Sequence, residues 1–166
     1  MCTLLIGILD LDSTVLCRYG RQEGSQIGYN PQKRGRPSHH PLLAFLSETR
    51  RLLWVTLRPG KAGPANGCIE LLQQALTRLP SGHQVALIRA DAGFFVTRFL
   101  TFLERRHLPY IIMARLTLVM RRLVIHRLPE TAWRRVSAGI DVAETLVTLP
   151  CWKGQARRVV CLRCPR

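Results

Sequence analysis

Two aspartates stand two positions apart at the end of the first apolar run, in the stretch "GILDLDSTVL" that covers residues 7–16. Side chains two apart on a strand share a face, so Asp10 and Asp12 would stand together while Leu9 and Leu11 enter a core. Such a pair has two chemical uses. One carboxylate can act as a nucleophile with its neighbour as the acid, or carboxylate oxygens can bind a divalent cation that cuts nucleic acid.

The charge of the chain indicates a polyanionic partner. Its 166 residues suit one ordinary domain, yet they contain 25 Lys and Arg against 10 Asp and Glu, which gives a formal net charge of +15. Most of the basic residues are arginines, whose planar guanidinium binds phosphate in a bidentate manner. We expect nucleic acid rather than a membrane surface, because no segment has a basic stripe opposite an apolar one.

The cysteines and the apolar runs argue against a secreted, a zinc-binding or a membrane-spanning protein. Six cysteines are scattered along the chain without a secretion signal, so we expect them to be reduced and intracellular. Cys161 and Cys164 form one C-x-x-C pair without a second ligand pair, so no zinc site is expected. No apolar run approaches the roughly 18 to 20 residues of a membrane-spanning helix.

Hydrophobic patterns predict a strand meander at the start of the chain. Residues 4–12 read as a buried strand, "PLLAFLSE" from Pro41 as a second, and "LLWVTLRPG" as its hairpin partner. Between the first two lies "RYGRQEGSQIGYNPQKRGRPSHH", residues 18–40, which we expect to be a long polar loop because it is rich in glycine, proline and arginine.

Helices and strands then alternate. After Asn66, which we expect to cap a first helix, helical spacing is kept by Ile69, Leu72, Leu76 and Leu79. A second helix is marked by Phe95, Phe99, Phe102 and Leu103. The stretch "QVALIRAD", which ends in Asp91, and the stretch "YIIMAR" read as strands. The order βββαβαβ predicts an α/β fold with a mixed sheet.

The hydrophobic pattern changes near Leu116, from alternating helices and strands to short strand-like runs. The runs "TLVMRRLVI", "ETLVTL" and "ARRVVCL" look strand-like, and we expect no helix among them. Eleven of the 25 basic residues and only three acids lie in residues 115–166. We therefore predict a core in residues 1–115 and the beginning of a β-rich subdomain in residues 116–166.

One interpretation of the opening stretch is a haloacid-dehalogenase-like phosphatase. Its D-x-D-x-T pattern would make Asp10 the nucleophile and Asp12 the acid, with Thr14 binding phosphate. The pattern also expects a later lysine and a pair of magnesium-binding acids, for which only Asp91 is available. A three-strand meander also differs from the parallel α/β order of that fold.

More of the chain resembles the catalytic core of insertion-sequence DDE transposases. The resemblance covers residues 4–166 and rests on D-S-T on the first strand, "YGRQEG", "GYNP", "KRGRPSHHPLLAF", "LRPG" and "RADAGF", all in the expected order. It implies a ribonuclease-H-like βββαβαβ core followed by a β-rich insertion. It also implies cleavage of phosphodiester bonds at transposon ends and joining of the freed 3′ hydroxyl to target DNA.

By this resemblance, Asp12 and Asp91 would hold a pair of Mg²⁺ or Mn²⁺ ions, since hard cations prefer oxygen ligands. Asp10, on the same face as Asp12, would support these ligands without binding the metal itself, or would only form hydrogen bonds at the strand end. Arg89 would support the site, contact phosphate, or be an ordinary surface charge. The resemblance further implies double-stranded DNA as the partner and a cytoplasmic, bacterial setting. The residues that we expect to contact DNA are Arg21, Lys33, Arg34, Arg36 and Arg58. His39 and His40 are not expected to bind metal, because adjacent residues of an extended segment point in opposite directions.

The third carboxylate of the family is a glutamate on a helix after the insertion. Glu130 and Glu144 fall at the wrong point of the element order, so neither is assigned this role. We therefore interpret the sequence as a transposase fragment, truncated at both ends, that binds DNA but cleaves poorly or not at all. It could also be a non-catalytic DNA-binding remnant that forms a dimer with a full-length transposase.

Overall fold

The computed structural model describes residues 5–31 and 33–164, so Cys2 and the first residue of the expected strand at position 4 lie outside the described residues. The chain divides into two compact units, residues 1–114 and residues 115–166. In the described part of the chain, no helix has the length and apolar character needed to cross a membrane.

The described part of the first unit contains eight strands and two α-helices. The strands are β1 (Leu5–Ser13), β2 (Leu16–Cys17), β3 (Gln26–Ile27), β4 (Pro37–His39), β5 (Leu42–Leu46), β6 (Arg51–Thr56), β7 (His83–Ala90) and β8 (Tyr110–Ile112). The helices are α1 (Cys68–Leu76) and α2 (Thr97–Arg105), and a short 3₁₀ turn, Ala92–Phe94, follows β7.

Five of these strands form the main sheet, in the order β6-β5-β1-β7-β8. The central strand β1 pairs antiparallel with β5 and parallel with β7, and β8 extends the parallel half. This arrangement confirms the expected mixed sheet of ribonuclease-H-like type: an antiparallel meander is followed by two crossovers through helices.

The core lies on one face of the sheet. Leu9 and Leu11 are 0% and 3% exposed and pack with buried residues of α1 and α2, such as Leu72 and Phe99. Asp10 and Asp12 point to the other face, because successive side chains of a strand alternate. The strand therefore presents its apolar residues to the helices and its two carboxylates to the opposite face.

Helix α1 begins differently from the sequence expectation. Its N-cap is Gly67 with φ of 77°, and no side chain caps the helix, so the prediction that Asn66 is the cap is wrong. Glycine adopts this left-handed conformation without the steric cost that a β-carbon brings. The carbonyl of Asn66 instead accepts a hydrogen bond from Arg58 at 2.7 Å.

The expected polar loop between β1 and β5 contains a second, smaller sheet. Strands β2, β3 and β4 form it in the order β2-β4-β3, with antiparallel pairing throughout. We call residues 14–41, which include this sheet, the arm. The arm was missed as a β-structure because its strands are only two or three residues long and carry polar side chains.

The described part of the second unit, residues 115–164, contains one α-helix and a three-stranded sheet. Helix α3 (Leu118–Leu123) is followed by 3₁₀ turns at Ile125–Arg127 and Glu130–Ala132. The strands are β9 (Arg134–Ser137), β10 (Ile140–Thr148) and β11 (Ala156–Arg163), with a 3₁₀ turn at Pro150–Trp152 before the last. The sheet order is β11-β10-β9, and all pairs are antiparallel.

The expectation of strands in "TLVMRRLVI" is wrong. Thr117 caps α3 by accepting a hydrogen bond from the Met120 amide at 3.2 Å. Met120 and Val124 are buried, and their spacing of four residues places them on one face of a helical segment. The other two runs, "ETLVTL" and "ARRVVCL", lie in β10 and β11.

Candidate functional site

Asp12 and Asp91 occupy neighbouring positions at one edge of the main sheet. The parallel pairing of β1 with β7 ends at Leu11 opposite Ala90. Asp12 and Asp91 are the next residue on each chain segment, and both are exposed. Adjacent strands lie about 4.8 Å apart. The fold therefore delivers two carboxylates, 79 positions apart in the sequence, to the carboxyl ends of two parallel strands.

Among the described residues, each of these carboxylates accepts its hydrogen bond from a backbone amide. Asp12 Oδ1 accepts a hydrogen bond from the Ser13 amide at 2.7 Å, and Asp91 Oδ1 accepts one from the Gly93 amide at 2.8 Å. Within the described residues, neither forms a salt bridge, although the chain carries 25 basic residues. Two neighbouring carboxylates repel each other unless a cation lies between them, so this pair is suited to bind a cation.

Asp10 is committed to a different interaction. Arg89 Nε and Nη2 donate hydrogen bonds to its two carboxylate oxygens at 2.7 and 2.8 Å, and Nη2 also donates to Ser47 Oγ at 2.9 Å. The Arg89 hydrogen bond holds the pKa of Asp10 below its ordinary value of 3.8. The group thus ties β1 and β7 to the turn that follows β5, and its two charged residues stand two positions before Asp12 and Asp91.

No third carboxylate joins this pair within the described part of the chain. The structure contains no cluster of three or more His, Cys, Asp or Glu side chains suited to a metal ion among residues 5–31 and 33–164. Glu130 is paired with Arg163 at 2.7 Å, and Glu144 lies 3.6 Å from Arg158. Both glutamates belong to ion pairs of the second unit.

The arm carries the basic residues that the sequence singled out. Arg21, Lys33, Arg34 and Arg36 are all exposed, and Glu23 is the one acidic residue of the arm sequence. Tyr19, which the sequence analysis did not single out, contacts two of these cations. The Lys33 ammonium hydrogen-bonds its hydroxyl, and Lys33 and Arg36 lie 4.8 and 5.2 Å from its ring centroid.

Two glycines hold the arm against the turn after β6. A β-carbon at Gly28 would lie 2.0 Å from the Gly60 carbonyl oxygen, and one at Gly60 would lie 2.1 Å from the Gln26 carbonyl oxygen. Neither distance is compatible with any side chain. The "GYNP" and "LRPG" motifs therefore meet through backbone atoms, which explains why glycine is required at both positions.

Arg58, which the sequence predicts to contact DNA, is buried inside the fold. Arg58 is only 7% exposed, and its Nε donates to the His40 carbonyl at 2.8 Å. Its Nη1 donates to the Gly63 and Asn66 carbonyls, each at 2.7 Å, and lies 3.3 Å from the Pro64 carbonyl. A phosphate cannot reach this guanidinium without opening the fold.

The two adjacent histidines of the arm are buried. His39 Nδ1 accepts a hydrogen bond from Arg18 Nε at 2.9 Å, and its Nε2 lies 3.0 Å from the Glu23 carbonyl. An arginine that donates to Nδ1 and a carbonyl beside Nε2 require the neutral ring with its proton on Nε2. His39 therefore supports the arm, and His40 provides backbone groups to Arg58.

The order of the main sheet, with an aspartate at the end of β1 and another after β7, defines the ribonuclease-H-like class. The family described as transposase DDE domain group 1 matches residues 6–164, and the chain belongs to this family. A solved structure, the cryo-EM structure of a piggyBac transposase synaptic complex with hairpin DNA, is similar in fold, with a TM-score of 0.53 and 14% sequence identity.

That match covers 96% of this chain and 33% of the piggyBac transposase chain, so the chain spans about a third of the length of this relative. No curated protein matches the sequence. The phosphatase interpretation does not fit these findings: β5 runs antiparallel to β1, and Asp10, the required nucleophile, is bound on both oxygens by Arg89.

Proposed function

We propose that this chain contributes two metal-binding carboxylates, Asp12 and Asp91, to a DNA-cleaving and strand-transferring site. The observation that carries the proposal is their position at the carboxyl ends of the paired strands β1 and β7, where no described Lys or Arg forms a salt bridge with either of them. Two divalent ions bound in such a site activate an attacking oxygen and stabilise the leaving oxygen of a phosphodiester.

The residues fit Mg²⁺ or Mn²⁺ as part of a ligand set. Carboxylate oxygens are the ligands that hard cations prefer, and one oxygen of each aspartate is fixed by a backbone amide. The bond to Ser13 orients Asp12, and the bond to Gly93 orients Asp91. Because the described residues supply two carboxylates here, we propose that a third, from outside them, completes the site.

The Asp10–Arg89 pair has a supporting role in this proposal. Arg89, on β7, binds Asp10 on β1 and Ser47 in the turn after β5, and so holds together the strands whose ends carry Asp12 and Asp91. It also neutralises Asp10, so that a third negative charge does not add to the repulsion at the sheet edge. Neither residue needs to contact a metal for this effect.

Double-stranded DNA, at transposon ends and at the target, is the proposed partner, and a second transposase subunit is a further proposed partner. The exposed cations of the arm, Arg21, Lys33, Arg34 and Arg36, would neutralise backbone phosphates. Arg58 is left out of this set because its guanidinium is used inside the fold.

The test measures Mn²⁺ binding by electron paramagnetic resonance on the purified 166-residue chain. Asp12→Asn and Asp91→Asn keep the side-chain shape and remove the charge, and each should weaken binding at least about tenfold. Glu70→Gln removes an exposed carboxylate on α1 and serves as the control, with affinity unchanged. Equal binding by all four proteins would refute the metal site.

A nicking assay on supercoiled plasmid with Mg²⁺ separates an enzyme from a DNA-binding remnant. We expect DNA binding with little cleavage by the 166-residue chain, because the described residues hold two of the three carboxylates. Strong Mg²⁺-dependent nicking that Asp12→Ala and Asp91→Ala abolish would show that no further carboxylate is needed.

A further inference from the structure

Arg58 organises the segment that leads into α1. One nitrogen, Nη1, donates to the carbonyls of Gly63 and Asn66 at 2.7 Å and lies 3.3 Å from that of Pro64. Three carbonyl oxygens that converge on one point repel each other unless a positive donor stands between them. The buried guanidinium therefore fixes the shape of residues 63–66.

The same segment touches the residue that hydrogen-bonds Asp91. A β-carbon at Gly93 would lie 2.9 Å from Pro64 Cβ and 2.9 Å from Asp91 Oδ1. Gly93 thus fits closely between Pro64 and Asp91, and its amide donates to the Asp91 carboxylate at 2.8 Å. A shift of Pro64 would change the position of this amide and, with it, the direction of the carboxylate.

From these contacts we propose that Arg58 is a positioning residue for Asp91. Its guanidinium holds Pro64 through the backbone, Pro64 packs against Gly93, and Gly93 holds the Asp91 carboxylate. The role in catalysis rests on the proposed function, but the effect on Asp91 does not depend on a bound metal. The path consists of a hydrogen bond at each end and, between them, the close approach of Pro64 Cβ to Gly93.

A lysine cannot fully replace Arg58. An ammonium could donate to the carbonyls around Nη1, but the separate bond from Nε to the His40 carbonyl, at 2.8 Å, would be lost. Arg58→Lys should therefore keep residues 63–66 largely in place while lowering overall stability. Arg58→Ala removes both the hydrogen bonds to residues 63–66 and the bond to His40. A comparison of the two variants therefore separates the positioning of residues 63–66 from the loss of stability.

The experiment follows the amide proton of Gly93 by NMR in the metal-free 166-residue chain. Asp91→Asn defines the change in chemical shift that loss of the carboxylate charge causes. Arg58→Ala should shift the Gly93 signal and speed its hydrogen exchange at least about tenfold, and Arg58→Lys should restore most of both values. Arg78→Ala, which removes an arginine stacked on Trp54 at 3.8 Å, is the control and should leave Gly93 unchanged.

A lower melting temperature of Arg58→Ala with an unchanged Gly93 signal would overturn the proposal, because a merely structural arginine would behave in this way. If Arg58→Ala does not fold, the exposed Pro64 provides a second test. Pro64→Gly removes the Cβ that contacts Gly93 and should shift its amide, whereas Pro64→Ala keeps that atom and should not. Equal Gly93 signals in these two variants would also refute the path.

Mn²⁺ binding is measured separately on the same proteins. If the wild-type chain binds no Mn²⁺ while Arg58→Ala still shifts the Gly93 amide, the proposed function fails and the positioning of Asp91 stands. If Mn²⁺ binds at Asp12 and Asp91 but Gly93 does not respond to Arg58, the positioning fails and the metal site stands.

Discussion

Arg89 binds both carboxylate oxygens of Asp10, at 2.7 and 2.8 Å, two residues before Asp91 and Asp12 respectively. The two aspartates of "LDLD" therefore differ in kind, although they share a face of β1. Asp10 is paired with an arginine, whereas the hydrogen bond of Asp12 within the described residues comes from a backbone amide. This difference separates the carboxylate that supports the sheet from the one that is free to bind a cation.

The ion pair should contribute to stability through both residues jointly. Asp10→Asn and Arg89→Met should each lower the free energy of unfolding slightly, since the pair is partly exposed and surface pairs contribute little. The double variant should lose less than the sum of the single losses. Urea unfolding of the four proteins measures this coupling, and strict additivity would contradict it.

The same pair should make stability depend on pH. The folded pKa of Asp10 lies below 3.8, so the folded protein binds this proton more weakly than the unfolded chain. The contribution is complete above about pH 5 and is lost as the pH falls through the unfolded and then the folded pKa. The stability difference between wild type and Asp10→Asn should therefore shrink from about pH 7 to about pH 3. A constant difference would contradict the assignment.

DNA binding should depend on the cations of the arm. If Lys33, Arg34 and Arg36 each neutralise one phosphate, replacing all three with glutamine should reduce the slope of log K against log salt by about 2.7. The control removes the same charge from α2 and its end, at Arg98, Arg105 and Arg106. Fluorescence anisotropy with duplex DNA over a range of salt measures both, and equal slopes for the two triple variants would argue against the arm.

The contact between Gly28 and Gly60 should tolerate no side chain. Gly28→Ala places a β-carbon 2.0 Å from a backbone oxygen, which cannot move aside as a side chain could. We expect a loss of more than about 2 kcal/mol. Gly35→Ala is the control: at its φ of 77° a β-carbon costs about 1 kcal/mol, but beyond the two chain neighbours no described residue has an atom within 4 Å of that carbon. Similar losses in thermal unfolding would contradict the close approach.

The thiol of Cys68 should react slowly in the folded protein. Burial raises its pKa to about 11, and the nearby Glu70 adds to this effect. Because the thiolate is the reactive form, iodoacetamide at about pH 8 should modify Cys68 roughly 100-fold more slowly than an ordinary thiol. Cys151 and Cys164 are exposed and serve as internal references in the mass spectrum. Equal rates would show that Cys68 is accessible.

Local patterns predicted the main sheet correctly, because apolar alternation and helical spacing are properties of short segments. The run that ends in Leu11 and the run that ends in Ala90 became β1 and β7. The sequence patterns gave the wrong element where a short apolar run fits both the two-residue period of a strand and the 3.6-residue period of a helix. The segment around Met120 alternates well enough for a strand, but the Thr117 cap and burial four residues apart made it a helix.

The sequence by itself determined the order of the strands of the main sheet and of the two helices between them, the strong positive charge, and the two aspartates that follow apolar runs. The tertiary structure decided which charged side chains are exposed to solvent and which are used in contacts inside the fold. Arg58 and Arg34 are the same residue type near the same glycine-rich motifs, yet one is buried against carbonyls and the other is exposed. This difference comes from contacts between residues that are distant in the sequence. Arg58 donates to the His40 carbonyl, and the arm that contains His40 approaches the turn after β6 where Gly28 meets Gly60. A guanidinium binds the acceptors that the fold places near it, and local sequence does not specify them.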